Sequence, residues 1–312
     1  MKIVIEPGSS GNCIATIAIG EKYLINFYRY AYPSWRKYCE KYNLGLIVFD
    51  KNLIEESNLF WKKANWQKLL IGKKIVESKL EVCNICHLDT DIIISPLATN
   101  IFEFHEEDNI SVISQINNLP FPDNEVRKRV AFLRNKYIDS RYPLDSSLFA
   151  TPKQIFEYHQ QQPQEDYFCS GVFIFNVEQY YIKMESWFNK YPKNIDTITG
   201  GGEEPILNYE FQANKNIKFL DYKFQALWLY EMAWKYPFLY RNTSNIELIK
   251  NCVQTSLLEN NFLHFCGSWA ESDMFYLEGV ATDVVFCEMA NNLKEYIELA
   301  STGRPVGLIK PI

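Results

Sequence analysis

The chain has 312 residues, 47% hydrophobic and 22% charged, with a formal net charge of −6. That length lies near the upper limit for one continuous core and predicts a single α/β domain over 1–312, with a nucleotide-binding half over about 13–101 and an elaborated half over about 102–312. The acidic balance gives no basic field for nucleic acid, no run of roughly eighteen apolar residues predicts a membrane span, and MKIVIEPGSSGNC reaches Glu6 and Pro7 before a signal-peptide core forms, so a soluble, cytoplasmic protein is expected.

Aromatic residues make up 15% of the chain. They suit a cleft for flat, polar-edged ligands as well as plain compositional bias. The eight cysteines are scattered. Cys83 and Cys86 form a CxxC with no second pair to complete a zinc site, so buried reduced thiols are expected there.

In chain order, CIATIAIG (13–20) reads as a buried strand, with a β-branched bias and a closing glycine. Apolar residues then recur at helical spacing over 21–42, with Tyr32-Pro33 expected to interrupt or kink the helix. LGLIVFD (44–50) is a second strand, a helical stretch follows around 61–80, and VCNICHLDTDIIIS (82–95) is a third strand. This β-α-β-α-β order predicts a mostly parallel sheet, in which ligands bind beyond the carboxyl ends of the strands.

Beyond Phe102 the pattern loosens. SVISQI (111–116) reads as a strand. DNEVRKRVAFLRNKYID (123–139) reads as a helix with an Asp or Asn cap, its cations forming a solvated basic face or a lid over a charged ligand. CSGVFIFN (169–176) is another strand, GGGEEPILNYEF (200–211) a Gly-rich turn entering a helix, and FLHFCGSW (262–269) a late apolar segment.

The chemistry concentrates in HLDTDIIIS. In an extended chain residues i and i+2 share a face, so Asp89 and Asp91 converge with Thr90 turned away. Two unpaired carboxylates so close repel each other, and a divalent cation removes that penalty. Oxygen ligands favour Mg2+ or Mn2+, and one imidazole shifts the balance towards Mn2+. Of four histidines, His264 is the candidate third ligand, its other reading being a structural residue. A phosphatase of the haloacid dehalogenase type carries such a motif on its first strand, whereas here it falls on the third. A sugar-nucleotide pyrophosphorylase needs a Gly-rich, basic loop after the first strand, where this chain has GEKYLINFYR.

The ordered motifs from about Ile14 to Trp269 resemble those of GT-A fold glycosyltransferases, nearest to the retaining glycogenin-like (family 8) and blood-group-type (family 6) transferases. TIAIGEKY (16–23) is similar to their base-holding strand and turn, HLDTDIII to their metal strand, and YFCSGVFIFN (167–176) to their Asn-Ser-Gly-Val strand, with Cys169 in place of Asn. GGEEPILN (201–208) resembles their acidic turn before a helix, and HFCG (264–267) their late His-x-x-Gly.

The resemblance implies a GT-A type, Rossmann-like mixed sheet, mostly parallel and flanked by helices. It implies transfer from a nucleotide diphosphate sugar, most often a UDP-sugar, to a glycan or other hydroxyl acceptor with retention. Asp89, Asp91 and His264 would hold Mn2+ or Mg2+. Ala18, Ile19, Gly20, Tyr23, Lys68, Asp89, Ser170, Gly171 and Gly267 would bind the donor. Glu204 would act as nucleophile or electrostatic stabiliser, and Glu203 would hold donor-sugar hydroxyls; both also read as an acidic pair at a helix N-terminus. The family's late lysine is missing, since Gly267 is followed by SWAESD; Lys68 is the candidate replacement, its plain reading being an exposed helix lysine. The alternative function is a catalytically inert nucleotide- or sugar-binding protein on the same fold.

Overall fold

The structure, a computed structural model, describes residues 1–122, 125–138, 146–200 and 202–301. Seven strands form the main sheet: β1 (Lys2–Ile5), β2 (Asn12–Ile17), β3 (Gly45–Phe49), β4 (Asn84–Leu88), β6 (Ile110–Ser114), β7 (Phe168–Asn176) and β8 (Ile217–Phe219). A small second sheet holds β5 (Ile92–Ile94), β9 (Ala226–Leu227) and β10 (Phe262–His264).

The main sheet runs in the order β1-β3-β2-β4-β7-β6-β8. The pairs β3/β2, β2/β4 and β6/β8 are parallel, and β1/β3, β4/β7 and β7/β6 are antiparallel, so the sheet is mixed. Both faces are covered, which explains the near-continuous apolar runs of its central strands. Ile14, Leu46, Val48, Cys86, Val172 and Ile174 pack into one core, and the alternate residues Cys13, Ala15, Ile47, Ile85, Phe173 and Phe175 into the other.

The expected break at Tyr32-Pro33 takes a specific form. An α-helix over Glu21–Asn26 widens into a π turn over Phe27–Ala31, and a second α-helix, Tyr32–Tyr42, starts with Pro33 in its first turn. Because the preceding residues are helical too, the π turn re-routes the ladder just before the proline that has no N–H to give, the Tyr32 N–H donating to Phe27 O. The stretch expected around 61–80 is a 3-10 segment, Ala64–Leu70, running into the α-helix Ile71–Ser78.

Two expectations need correction. Cys83 of the CxxC is exposed, while Cys86 is buried. The basic helix, described over Glu125–Leu133 with a π turn over Arg134–Ile138, is not a simple solvated face. Arg127 and Arg134 turn inward, Arg127 Nη1 donating to Ala150 O at 3.0 Å and Arg134 Nε to Glu271 Oε1 at 2.9 Å. Its expected cap at 123–124 lies outside the described residues. Among the described residues no helix is long and apolar enough to cross a membrane.

Candidate active site

Strand pairing brings the chemistry-bearing residues together. Because β7 runs antiparallel to β4, the start of β7 lies beside the end of β4, with Leu88 opposite Val172. The ladder extends one step, the Asp89 N–H donating to Gly171 O at 2.9 Å. In the second sheet His264 lies opposite Ile92, and the Phe265 N–H donates to Asp91 O at 3.0 Å. Asp89 therefore leaves one sheet and Asp91 enters the other, and Asp89-Thr90-Asp91 is a turn between strands, not the extended segment expected. The carboxylates still converge: one oxygen of Asp89, one of Asp91 and a nitrogen of His264 lie within 4.8 Å of one another.

The glutamates arrive by a different route. Asn208, in the helix Glu204–Ala213, accepts from the Phe168 N–H and donates to Phe168 O, both at 2.8 Å. This amide clamp fixes the helix against the start of β7 and sets Glu203 and Glu204 at Ser170. Glu204 Oε2 accepts from the Ser170 N–H at 3.2 Å, and its Oε1 from Gln115 Nε2 at 2.8 Å. Glu203 Oε1 accepts from Ser170 Oγ at 2.7 Å and from Lys68 Nζ at 2.8 Å, and its Oε2 from Asn65 at 2.6 Å.

Lys68 is buried, not an exposed helix lysine. Its Nζ also lies 3.2 Å from Asp89 Oδ1 and 3.2 Å from Ser170 O. Burial opposes its charge, but Asp89 and Glu203 outweigh burial and hold its pKa above the ordinary lysine value. Burial likewise raises the Asp89 carboxyl, and Lys68, His87 and His264 more than reverse this, leaving it well below the usual carboxylate range. His87, lowered chiefly by burial, points Nε2 at Asp89 Oδ1 at 3.0 Å. Glu204 is pushed up to about 7: burial dominates, the Gln115 hydrogen bond opposes it, and neighbouring Glu203 adds to it.

His264 is buried between two environments. Nε2 lies 3.2 Å from Asp91 Oδ1, yet that buried oxygen makes no aligned hydrogen bond. Nδ1 faces Gln225 Nε2 at 3.1 Å and Cys169 Sγ at 3.6 Å. Burial lowers the imidazole pKa, and the neighbouring Asp91 and Cys169 overcome this and raise it. Gly171 is required here for close approach, since a Cβ at this position would lie 2.3 Å from His264 Cε1.

A cavity of about 380 Å³ opens over the acids, lined by Ile17, Ile19, Tyr23, Lys68, His87 and Asp89 among others. Of the expected donor-binding residues, Ile19, Tyr23, Lys68 and Asp89 line this cavity, whereas Ser170 and Gly171 do not. Ala18 is fully buried, its N–H donating to Phe49 O, and neither it nor Gly20 lines the cavity. Gly267 lies past His264 with φ of 96° and also stands outside the lining. A larger hollow of about 650 Å³, bounded by Phe49, Lys51, Leu70 and Asn189, contains none of the converging donors.

The sequence reading missed Asn65, His87, Gln115 and Gln225. His87 was discoverable, standing two residues before Asp89 near the strand end. The three amides carry no local signal.

No protein-family model matches the chain, and no curated protein matches it. Solved structures that show distant likeness include three glycosyltransferases. One is a glycosyltransferase involved in glycosylation of the major capsid of PBCV-1, at 9% identity and TM-score 0.47, covering 84% of this chain and 98% of that one. Another is the galactosyltransferase LgtC in complex with donor and acceptor sugar analogs, at 12% identity and TM-score 0.45, covering 87% and 96%. The third is the apo bifunctional glycosyltransferase WbbM, at 12% identity and TM-score 0.43, covering 93% of this chain and 52% of that one.

Proposed function

We propose that this protein is a metal-dependent glycosyltransferase of the GT-A type, moving a sugar from a nucleotide diphosphate sugar, a UDP-sugar foremost, to an acceptor hydroxyl with retention. The observation that carries the reading is the convergence of Asp89, Asp91 and His264 within 4.8 Å, with both acids lining a cavity of about 380 Å³. Two carboxylate oxygens and an imidazole suit Mn2+ or Mg2+, and the unaligned, buried Asp91 Oδ1 is the kind of atom such an ion satisfies. When bound there, the ion supplies positive charge to the diphosphate as it departs.

The other roles follow from the hydrogen bonds. Ile17, Ile19 and Tyr23 form the apolar wall for a flat base. Ser170 and Gly171 present backbone next to the acids, where a sugar ring would lie. Glu204, half-buried, is the carboxylate for the sugar face, where an oxocarbenium-like transition state gains from a nearby negative charge. Both Glu203 oxygens are engaged by Lys68, Ser170 and Asn65, so Glu203 positions Lys68 and Ser170.

One observation favours the second reading, donor binding without transfer: Lys68 is already paired with two carboxylates, which reduces what it offers a diphosphate. Thermal unfolding against a panel of nucleotide diphosphates and their sugars, with and without Mn2+, separates the outcomes, because only ligands that prefer the folded state raise the midpoint. A Mn2+-dependent rise for one nucleotide, with release of that diphosphate on incubation with its sugar, supports transfer. A rise without release supports binding alone. No rise for any nucleotide overturns both.

A further inference from the structure

On the side of His264 away from the acid pair lies a second, unlike set of donors. Cys169 Sγ, Cys266 Sγ and a nitrogen of His264 lie within 4.8 Å of one another. Cys169 stands on β7 directly before Ser170, and Cys266 two residues beyond His264. The Cys169 Sγ to His264 Nδ1 separation is 3.6 Å. A tetrahedral zinc ion bonded to sulfur and nitrogen holds those two atoms about 3.5 Å apart, given Zn–S and Zn–N lengths of about 2.3 and about 2.0 Å. Cys169 is buried and Cys266 is half-buried, which leaves an entry side at Cys266. Beside them Gln225 is 1% exposed, and its Oε1 has no hydrogen-bond partner.

We propose that Cys169, Cys266 and His264 Nδ1 form a binding site for a soft divalent cation, Zn2+ in class, whose occupation competes with the hard-cation site for His264. Two thiolates and an imidazole select a thiophilic ion, whereas the acids on the Nε2 side select a hard one. A neutral imidazole has one nitrogen lone pair and carries its proton on the other nitrogen. His264 therefore serves one metal at a time. Ligation on the sulfur side releases the two thiol protons to solvent, displaces the Gln225 amide from Nδ1 and leaves the proton on Nε2, facing Asp91. The competition rests on the reading of His264 as a hard-cation ligand; the sulfur site does not.

The test uses the reduced full-length protein and Co2+ as a spectroscopic probe. A thiolate-to-metal charge-transfer band is expected, saturating near one equivalent and bleached by Zn2+. It is expected to vanish in Cys266→Ser and Cys169→Ser, with folding checked by circular dichroism, and to persist in Asp89→Asn. No band, or a band unchanged in both serine variants, overturns the site. If Cys169→Ser does not fold, the half-buried Cys266→Ser decides. Paramagnetic resonance then reads Mn2+ binding: one equivalent of Zn2+ is expected to weaken it at least tenfold more in the wild type than in Cys266→Ser, where Zn2+ acts only by direct exchange at the acids. Equal weakening in the two, or none in the wild type, overturns the competition. No Mn2+ binding at all counts against the transferase reading, and the Co2+ band still decides the sulfur site.

Discussion

Lys68 Nζ lies 2.8 Å from Glu203 Oε1, and both side chains are almost wholly removed from solvent. The pair also holds Asp89 and Ser170 in place, so this ammonium is the electrostatic centre of the site. Lys68→Met leaves Glu203 and Asp89 without their shared counterion. Because breaking a buried pair strands a charge, the expected loss is about 3–5 kcal/mol of unfolding free energy, read by urea denaturation. A loss below about 1 kcal/mol at neutral pH would show that water already solvates these acids.

Glu204 gives a dependence on pH that can be signed. Its folded pKa, about 7, is raised from the ordinary 4.5. A raised carboxyl pKa means that the folded state holds the proton more tightly. Its contribution to stability is therefore full below about 4.5 and is lost as pH rises through about 7. Glu204→Gln keeps the geometry without the charge. It is expected to be more stable than the wild type at pH 8 by on the order of 1–3 kcal/mol, with the gap closing towards pH 4.5. The same variant is expected to lose far more turnover than donor affinity.

Asp91→Asn tests the metal reading. The substitution keeps the shape of the turn and removes one hard ligand. Transfer is expected to disappear, together with any rise in melting midpoint on adding Mn2+, while the metal-free protein still folds, with a lower midpoint because His264 loses its acidic neighbour. Undiminished transfer in Asp91→Asn, or in the wild type with excess chelator, would refute the assignment.

Gly171→Ala probes the contact behind the histidine. The added methyl would meet His264 Cε1 at 2.3 Å and Gln225 Nε2 at 2.9 Å, so the ring must shift. Overpacking of this kind costs about 1–3 kcal/mol. Mn2+ affinity, measured by calorimetry, is expected to fall with it, since His264 is displaced from Asp91.

The strands that frame the site were legible in the sequence because each is a short apolar run closed by polar or small residues. LGLIVFD and CSGVFIFN fall on β3 and β7 within a residue or two. The convergence of Asp89 with Asp91 was legible too, though for a different geometric reason. The alternation argument assumes an extended chain, whereas the acids occupy a turn whose two ends are tied to β7 and to the residue after β10. Tertiary pairing of that kind leaves no local trace. The burial of Lys68 was hidden for the same reason: its partner Glu203 lies far along the chain, brought in by the Asn208 clamp. β9 and β10, at two and three residues, are too short for periodicity to declare them.

The turn at 89–91 passes from one sheet to the other, and His264 stands on the central strand of the smaller one, opposite Ile92. Whatever is gripped there acts as a rivet across a seam, fastening two hydrogen-bonded blocks that the turn and its two flanking backbone hydrogen bonds already join. Its removal is expected to show first as faster amide exchange along Ile92–Ile94 and Phe262–His264, while Asn84–Leu88, in the middle of the main sheet, keeps its protection.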